Sequence, residues 1–562
     1  MKKYLFKDKK AILINCLISL CGFMCMIGMF YTNSLITDVV VNNDLKRANR
    51  VTFLVLGVIL ALMVCMILST IITRRILRNA VFSLREDIFI NAYSKSIAKY
   101  KDNGTNYFSS LLYNDVDIIE DKYFRPLLEI INDSMQIILM SLILCKIGTQ
   151  YFIIVLALTI PTIIAPFLLK NKMIEQGNHL SKGLEKYTSL IKDTLSMFHT
   201  VKYFGKEDSI LNRFSKGTEC IEKQKYQLAS IRAYNVFISS FTVLILKFVS
   251  LLYFSNGALK LVIDIATVSL LFSLTNNIGN PIHNILGYIE SINSTKGIRE
   301  KIEELINSKE IIQNELCIVP RNNNILIDDL ILELNEKCIL NRFSFQFEQG
   351  KKYVVLGESG SGKSTFCKVI LGYFEDYKGN ISVGGIDVKE IEKYQLYKKI
   401  VYVSQDTYLF SDTLRNNITL LSDKFSEQQI MSAIKKAELQ ELIERLNEGL
   451  ESNIDSESVT LSGGEKQRIA LARAFLYDAD IYIFDEATAA LDIKTTECIE
   501  RNILGLREKT VISIVHKLNN SIEKYDCVLV VKEGKVVAAN SYAKLKDMYP
   551  EYGLLLGEGA CV

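Results

Sequence analysis

Five short stretches in the second half of the chain carry residues able to do chemistry on a phosphorylated ligand. Gly357-Glu-Ser-Gly-Ser-Gly-Lys-Ser-Thr365 matches G-x-x-x-x-G-K-[ST]. Its glycines, Gly357, Gly360 and Gly362, let the backbone curl so that N–H groups converge on phosphate oxygens, with Ser359, Ser361 and Thr365 in the same cradle. Lys363 would reach the β- and γ-phosphates, and the Ser364 hydroxyl would ligate Mg²⁺. Gln405 follows the apolar run Val401-Tyr-Val-Ser404 and offers a neutral group that ligates Mg²⁺ or positions water. Asp485 and Glu486 follow Ile481-Tyr-Ile-Phe484: the first suits Mg²⁺, the second polarises an attacking water. His516 ends Val511-Ile-Ser-Ile-Val515, and Ser462-Gly463-Gly464-Glu465 opens a helical stretch whose N-terminus suits a second phosphate contact.

The elements that must position these residues are short apolar runs alternating with helical ones, the pattern of an α/β domain. Ligands bind beyond the carboxyl ends of parallel strands. The loop at 357–365, Gln405, Asp485 and His516 all fall at predicted strand ends.

The rest of the 562-residue chain is of another kind. Hydrophobic residues make up 49% and mean hydropathy is +0.18, high for a soluble enzyme. The 66 basic residues nearly balance 63 acidic ones, so charge gives no sign of a nucleic-acid partner, and none is expected. The twelve cysteines are scattered without a C-x-x-C pair, which argues against zinc or disulfides and for a reducing cytosol. Six apolar runs approach the roughly 20 residues needed to cross a bilayer: Ala11–Tyr31, Val51–Thr73, Ile130–Ile147, Phe152–Leu169, Val236–Phe254 and Ala258–Leu274. They read as three hairpins, the last turning at Ser255-Asn-Gly257. Basic flanks before the first run and after the second place both termini in the cytosol; Lys46, Arg47 and Arg50 run against that, but six spans return the chain to its starting side. The polar stretches Arg74–Glu129 and Lys170–Tyr234 read as cytosolic extensions of the membrane helices. Counted from the Ser255 turn, Lys247 and Asp264 lie at similar depth, as a structural pair, as substrate contacts or as charges snorkelling to an interface.

The order and spacing of the 357–365 loop, Gln405, Leu461-Ser-Gly-Gly-Glu465, Ile481–Glu486, Ala490-Leu-Asp492 and His516 resemble the ATP-binding cassette (ABC) transporter family. Six spans ahead of the cassette resemble its exporter-type half-transporter. Tyr113-Asn-Asp-Val116 and Thr200–Glu207 look like exporter sequences too. The resemblance implies a helical transmembrane domain at 1–310, a linker at 311–324 and an α/β P-loop ATPase domain at 325–562, in the cell membrane among its lipids. It implies ATP and Mg²⁺ as ligands, with Mg²⁺ held by Ser364, Gln405 and Asp485. Glu486 would be the general base, His516 and Gln405 its catalytic companions, and Asp492 a signal across the interface. A second half-transporter, the same chain or another, would complete each ATP site with its own Ser462–Glu465. Segments near Asn103–Ser109 and Ser196–Lys202 would couple cassette and membrane domain.

The function implied is ATP-driven export by alternating access, of a peptide or an amphipathic small molecule. An importer of a chelated metal built on the same architecture, and an ATP-gated regulator, stay open as alternatives. Only ten residues precede the first span, so the chain is expected not to cleave a leader peptide itself. The chain departs from the family pattern at Leu334, where an adenine-stacking aromatic is usual, at Asp455-Ser-Glu-Ser458, where glycines are usual, and at Ala489 and Glu465, which stand for serine and glutamine. Leu334 implies a modest fall in ATP affinity.

Overall fold

A computed structural model describes residues 1–42, 45–260, 264–307, 322–334, 337–454, 461–515 and 521–548. It divides into two compact units, one of residues 1–93 and 106–309, the other of 94–105 and 310–562. The proposed linker lies largely outside the described residues, and so do His516 and Asp455–Ser458.

The first unit is helical. Its spanning helices are α1 (Lys9–Asn42), α2 (Leu45–Tyr93), α3 (Arg125–Ile147), α4 (Thr149–Ile164), α6 (Glu207–Leu259) and α7 (Ile265–Ser294), with α5 (Lys170–Ser196) before α6 and α8 (Lys296–Asn307) at the end. Among the described residues, four helical stretches are by themselves long and apolar enough to cross a membrane: Lys9–Val40, Lys46–Tyr93, Thr105–Ile147 and Glu207–Leu259. Helix α4 is apolar but shorter, because Pro161 lies within it and a 3₁₀ turn at Ala165–Phe167 ends it. Helix α7 is long, but Asn276, Asn277, Asn280, His283 and Asn284 dilute its apolar surface. At 1.5 Å per residue the 49 residues of α2 and 53 of α6 reach roughly 75–80 Å, against a hydrocarbon core of about 30 Å. The long polar stretches are therefore continuations of membrane helices, as expected. Phe53, Leu60, Ile67 and Ile71 stand exposed along α2, an apolar face that water does not tolerate and lipid does. Inside, Phe30, Leu144, Tyr151, Phe254 and Leu271 form a buried cluster of α1, α3, α4, α6 and α7, with Tyr151 and Phe254 meeting edge to face at 5.9 Å.

Two expectations change. Ser255–Gly257 is not a turn: α6 runs through it to Leu259. One glycine in an otherwise apolar helix costs about 1 kcal/mol, less than the packing around it provides. The next helix starts later, at Asp264, whose carboxylate accepts from the Thr267 N–H (3.3 Å) and hydroxyl (2.5 Å) as an N-cap. Asp264 is thus exposed at a helix end, while Lys247 lies twelve residues before the end of α6, roughly 18 Å along its axis. They do not share a depth and are not a pair.

Tyr113-Asn-Asp115 lies in a π-helical turn, Leu111–Asp115, and a second follows at Glu120–Phe124. Asp115 pairs with Lys301 of α8 at 2.9 Å. The terminal amine of Met1 meets Glu303 of the same helix at 2.8 Å.

The second unit is α/β. Strands β1 (Ile325–Leu334), β2 (Lys337–Phe347), β4 (Lys378–Val383) and β5 (Ile386–Asp387) form an antiparallel sheet in the order β2-β1-β4-β5. Strands β3 (Lys352–Leu356), β6 (Ile400–Val403), β9 (Ile481–Asp485), β10 (Thr510–Ile514), β11 (Cys527–Lys532) and β12 (Lys535–Asn540) form the main sheet, ordered β12-β11-β3-β10-β9-β6; β7 (Asp412–Thr413) and β8 (Asn453–Ile454) pair apart. Helix α9 (Lys363–Ile370) packs between the sheets through Phe366, stacked on Phe343 at 4.8 Å and Phe347 at 6.1 Å and fully buried. Phe366→Ala is expected to destabilise this domain by about 3–5 kcal/mol, read as a lowered cassette transition in thermal unfolding of the full chain. A shift below 1 kcal/mol would mean that the loop before α9 does not depend on this core.

Candidate functional site

Parallel pairing brings the strand ends into register. Ile514 of β10 is opposite Asp485 of β9 and Val355 of β3, and Val403 of β6 is opposite Phe484 of β9. The loop after β3, Gln405 after β6, and Asp485 and Glu486 at the end of β9 therefore share one edge. His516 would follow β10 on that edge by chain order, but lies outside the described residues.

The loop is cut to shape by its glycines. Gly357 (φ +156°) passes so close to Val531 that a Cβ would collide with its carbonyl oxygen. Gly362 (φ +99°) would put a Cβ 2.9 Å from Leu340 and 3.0 Å from the Ile339 carbonyl. Above Gly360 nothing lies within 4 Å, which leaves room on the concave side. The Lys363 ammonium curls over the loop and donates to the carbonyls of Gly357 and Glu358, each at 2.8 Å. Burial pulls its pKa below the ordinary lysine value, against the opposing pull of Glu486 and Asp485. The buried Ser361 hydroxyl has no hydrogen-bond partner. A desolvated cation, an orphaned hydroxyl and an open glycine concavity fit a phosphate chain. Ser359 is exposed and Thr365 half-buried at its margins.

The Ser364 hydroxyl donates to Asp485 Oδ1 at 2.8 Å. The other carboxylate oxygen accepts from the Tyr402 hydroxyl at 2.7 Å. Burial, then the charge of Asp485 and the hydrogen bond to it, hold the Tyr402 phenol far above its ordinary pKa, so it remains a donor. Gln405 Nε2 donates to Glu486 Oε2 at 2.8 Å. Glu486 itself adopts φ +54°, a left-handed conformation rare outside glycine, and its N–H bonds the Ile514 carbonyl at 3.1 Å. The turn aims the carboxylate away from the strand line that carries Asp485.

Ser462 caps helix α10 (Gly463–Leu476) in a reciprocal capping box with Glu465: the Glu465 N–H donates to Ser462 Oγ at 3.3 Å, and the Ser462 N–H to Glu465 Oε2 at 2.7 Å. Glutamine would close the same box; what glutamate adds is a charge for Arg445 to pair with. Burial opposes its charge, but Ser462, Arg445 (2.8 Å) and Arg468 outweigh it and hold its pKa below the ordinary value. Gly464 faces the Ala490 carbonyl, 3.0 Å from where a Cβ would sit. Asp492 caps the helix Ile493–Leu504 through the Thr495 N–H at 3.0 Å. Leu334 is half-buried against the core beneath the antiparallel sheet.

Three residues escaped the sequence. Tyr402 sits on an apolar strand where alternation reads it only as packing. Gln467 joins the Glu486 carbonyl (3.4 Å) to the Ala490 N–H (3.0 Å), tying the ends of that loop together; only its place one turn into the helix capped by Ser462 could have suggested it. Asp133, inside the third apolar run, was legible as an ionisable residue in a membrane span.

Two family models match the chain. One, described as ABC transporter transmembrane region, covers residues 11–279, and the other, ABC transporter, covers 340–489. The chain is 27% identical over 552 residues to the lactococcin transport/processing ATP-binding protein LcnC-like of Lactococcus lactis, covering 96% of this chain and 75% of that protein. It is 28% identical over 551 residues to the ATP-dependent lipid A-core flippase of Legionella pneumophila, covering 95% and 90%. Its fold is similar to that of a bacterial Atm1-family ABC exporter with ATP bound, with a TM-score of 0.85 at 20% identity, over 99% of this chain and 100% of that one.

Proposed function

The chain belongs to the ABC transporter family as an ATP-driven half-transporter of the exporter type, and from that premise we infer that two copies pair head to tail to expel an amphipathic molecule or a peptide. It is a multi-pass membrane protein whose cytosolic domain hydrolyses ATP. Relatives named for lactococcin transport and for flipping lipid A-core favour an amphipathic cargo.

One observation carries the reading most strongly: two hydrogen-bonded pairs, Ser364–Asp485 and Gln405–Glu486, lie at one sheet edge beside a phosphate-shaped loop. Mg²⁺ would be held by Ser364, Asp485 and the carbonyl oxygen of Gln405, all hard oxygen donors, and would neutralise charge on the phosphate oxygens. Glu486 takes the proton of the attacking water, and the Gln405 amide fixes the carboxylate that receives it. His516 would meet the γ-phosphate. Lys363 exchanges its two loop carbonyls for phosphate oxygens, whose negative charge offsets the desolvation that depresses its pKa. The partner's Ser462–Glu465 stretch, a capped helix start, would close the site from the other side. The segments proposed to couple the domains fall at short helices between long ones, Ile97–Asn103 followed by Thr105–Ser110, and Phe198–Phe204; residues 94–105 group with the cassette unit. Substrate-stimulated ATPase with directional uptake into inside-out vesicles tests the export reading. Hydrolysis without flux would favour the regulator, and flux of the opposite sense the importer.

Tyr402 gives a finer test. Losing a hydrogen bond to a charged group costs about 1.5 kcal/mol or more, so Tyr402→Phe is expected to raise the Mg²⁺ concentration for half-maximal hydrolysis about tenfold. The same bond is present without Mg²⁺, so apo stability should fall as well. An unchanged Mg²⁺ titration would show that Tyr402 does not position Asp485.

A further inference from the structure

The first unit contains a cavity of about 750 Å³ between α1, α2, α3 and α7. One end is apolar and deformable, lined by Phe23, Met26, Met29 and Met66; methionines adapt to irregular shapes. The other end is lined by Arg74, Arg125, Glu129, Asn132, Asp133, Gln136 and Asn277. Two amides there are turned to backbone: Gln136 Nε2 donates to the Asn277 carbonyl at 3.1 Å, and Asn277 Nδ2 to the Ser273 carbonyl at 2.9 Å. Arg125 is paired with Asp121 at 2.9 Å. Asn284 donates to the Asp133 carboxylate, and two acceptor atoms are still left over. Asn132 Oδ1 and Asp133 Oδ2 are buried and have no hydrogen-bond partner.

Buried acceptors without donors are costly, and an ionisable residue in a membrane span faces a cavity, a partner or a ligand. The cavity satisfies the first of these, and the two unpartnered oxygens leave the place of a donor open. We propose that this cavity binds an amphipathic cation, with an ammonium or guanidinium head on Asp133 and Asn132 beside Glu129, and an apolar tail among Phe23, Met26 and Met29. The proposal rests on the export reading for its role as cargo site, but not for the binding itself. Arg74 is the opposing charge, so it tunes the site against cations and would favour anions. The two residues therefore give tests of opposite sign.

Cys65 lines the same cavity, and Cys220 is exposed elsewhere in the unit. The full chain in lipid nanodiscs is alkylated with N-ethylmaleimide, and both cysteines are followed by mass spectrometry with dodecylammonium, dodecanoate or dodecyl maltoside present. Dodecylammonium should slow the reaction at Cys65 and leave Cys220 unchanged; the other two should do neither. Asp133→Asn, an isosteric change, should raise the protecting concentration about tenfold, the loss of one charge-assisted contact. Arg74→Gln should lower it, which also guards against a variant that merely misfolds. Protection by dodecanoate that Arg74→Gln weakens would overturn the proposal and assign an anion site; protection equal for all three would overturn it as partitioning alone. ATPase activity in the same nanodiscs separates the two readings. Protection of Cys65 without stimulated hydrolysis upholds the cation site and counts against its cargo role, whereas stimulation by dodecylammonium without protection places the cargo elsewhere.

Discussion

Glu486→Gln is expected to lower ATP turnover by about 10²–10⁴-fold, the usual contribution of a positioned general base, while ATP binding persists. The geometry supports both halves. The carboxylate accepts from Gln405 Nε2 at 2.8 Å, and a glutamine at 486 can still accept there through its amide oxygen. The strained turn at φ +54° and the bond from the 486 N–H to Ile514 belong to the backbone, so the strand end keeps its place. Only the capacity to take a proton is removed. The variant should therefore load ATP and stay in the closed, paired state, visible as a dimer that crosslinks across the cassettes in ATP. Turnover at the normal rate would show that another group is the base.

How much of this was readable in advance follows from the range of the forces involved. The phosphate loop is a local backbone device, so its glycines, lysine and serine announce it in nine residues. Asp485 and Glu486 were legible because a parallel strand is a short apolar run and its end is where polarity returns. Glu465 was legible as a departure but not as a cap paired with Arg445, because that arginine comes from a different part of the domain. Tyr402 was hidden for the same reason: its hydroxyl has meaning only once β6 lies beside β9. Ser255-Asn-Gly257 misled because Asn-Gly is a strong turn signal in water, whereas in a membrane helix an unpaired backbone group costs more than a glycine does. Asp264 carried the better signal, an N-cap with threonine three residues on. Asp133 was passed over because the apolar count of its run was high enough to absorb one carboxylate.

Lys363→Ala should give the opposite pattern to Glu486→Gln, and the contrast separates binding from chemistry. In the free protein the Lys363 ammonium satisfies the Gly357 and Glu358 carbonyls at 2.8 Å, and it is desolvated there. Removing it leaves those two acceptors unpaired, at about 1–3 kcal/mol for a group that stays buried, offset by no longer burying a cation. The net change in apo stability is therefore small. The ligand-bound state has no such compensation. A phosphate chain that loses a charge-assisted contact of about 1.5–3 kcal/mol binds roughly 10- to 100-fold more weakly. A ligand present at a hundred times its Kd stabilises its protein by about 2.7 kcal/mol, so ATP should raise the thermal transition of the parent chain and of Glu486→Gln. At the same concentration it should stabilise Lys363→Ala by half as much or less, about 0.4–1.4 kcal/mol. Lys363→Met keeps the stem and removes the charge; if it restores the ATP-induced shift, the lysine acts by filling the loop, and its charge is not what holds the phosphates.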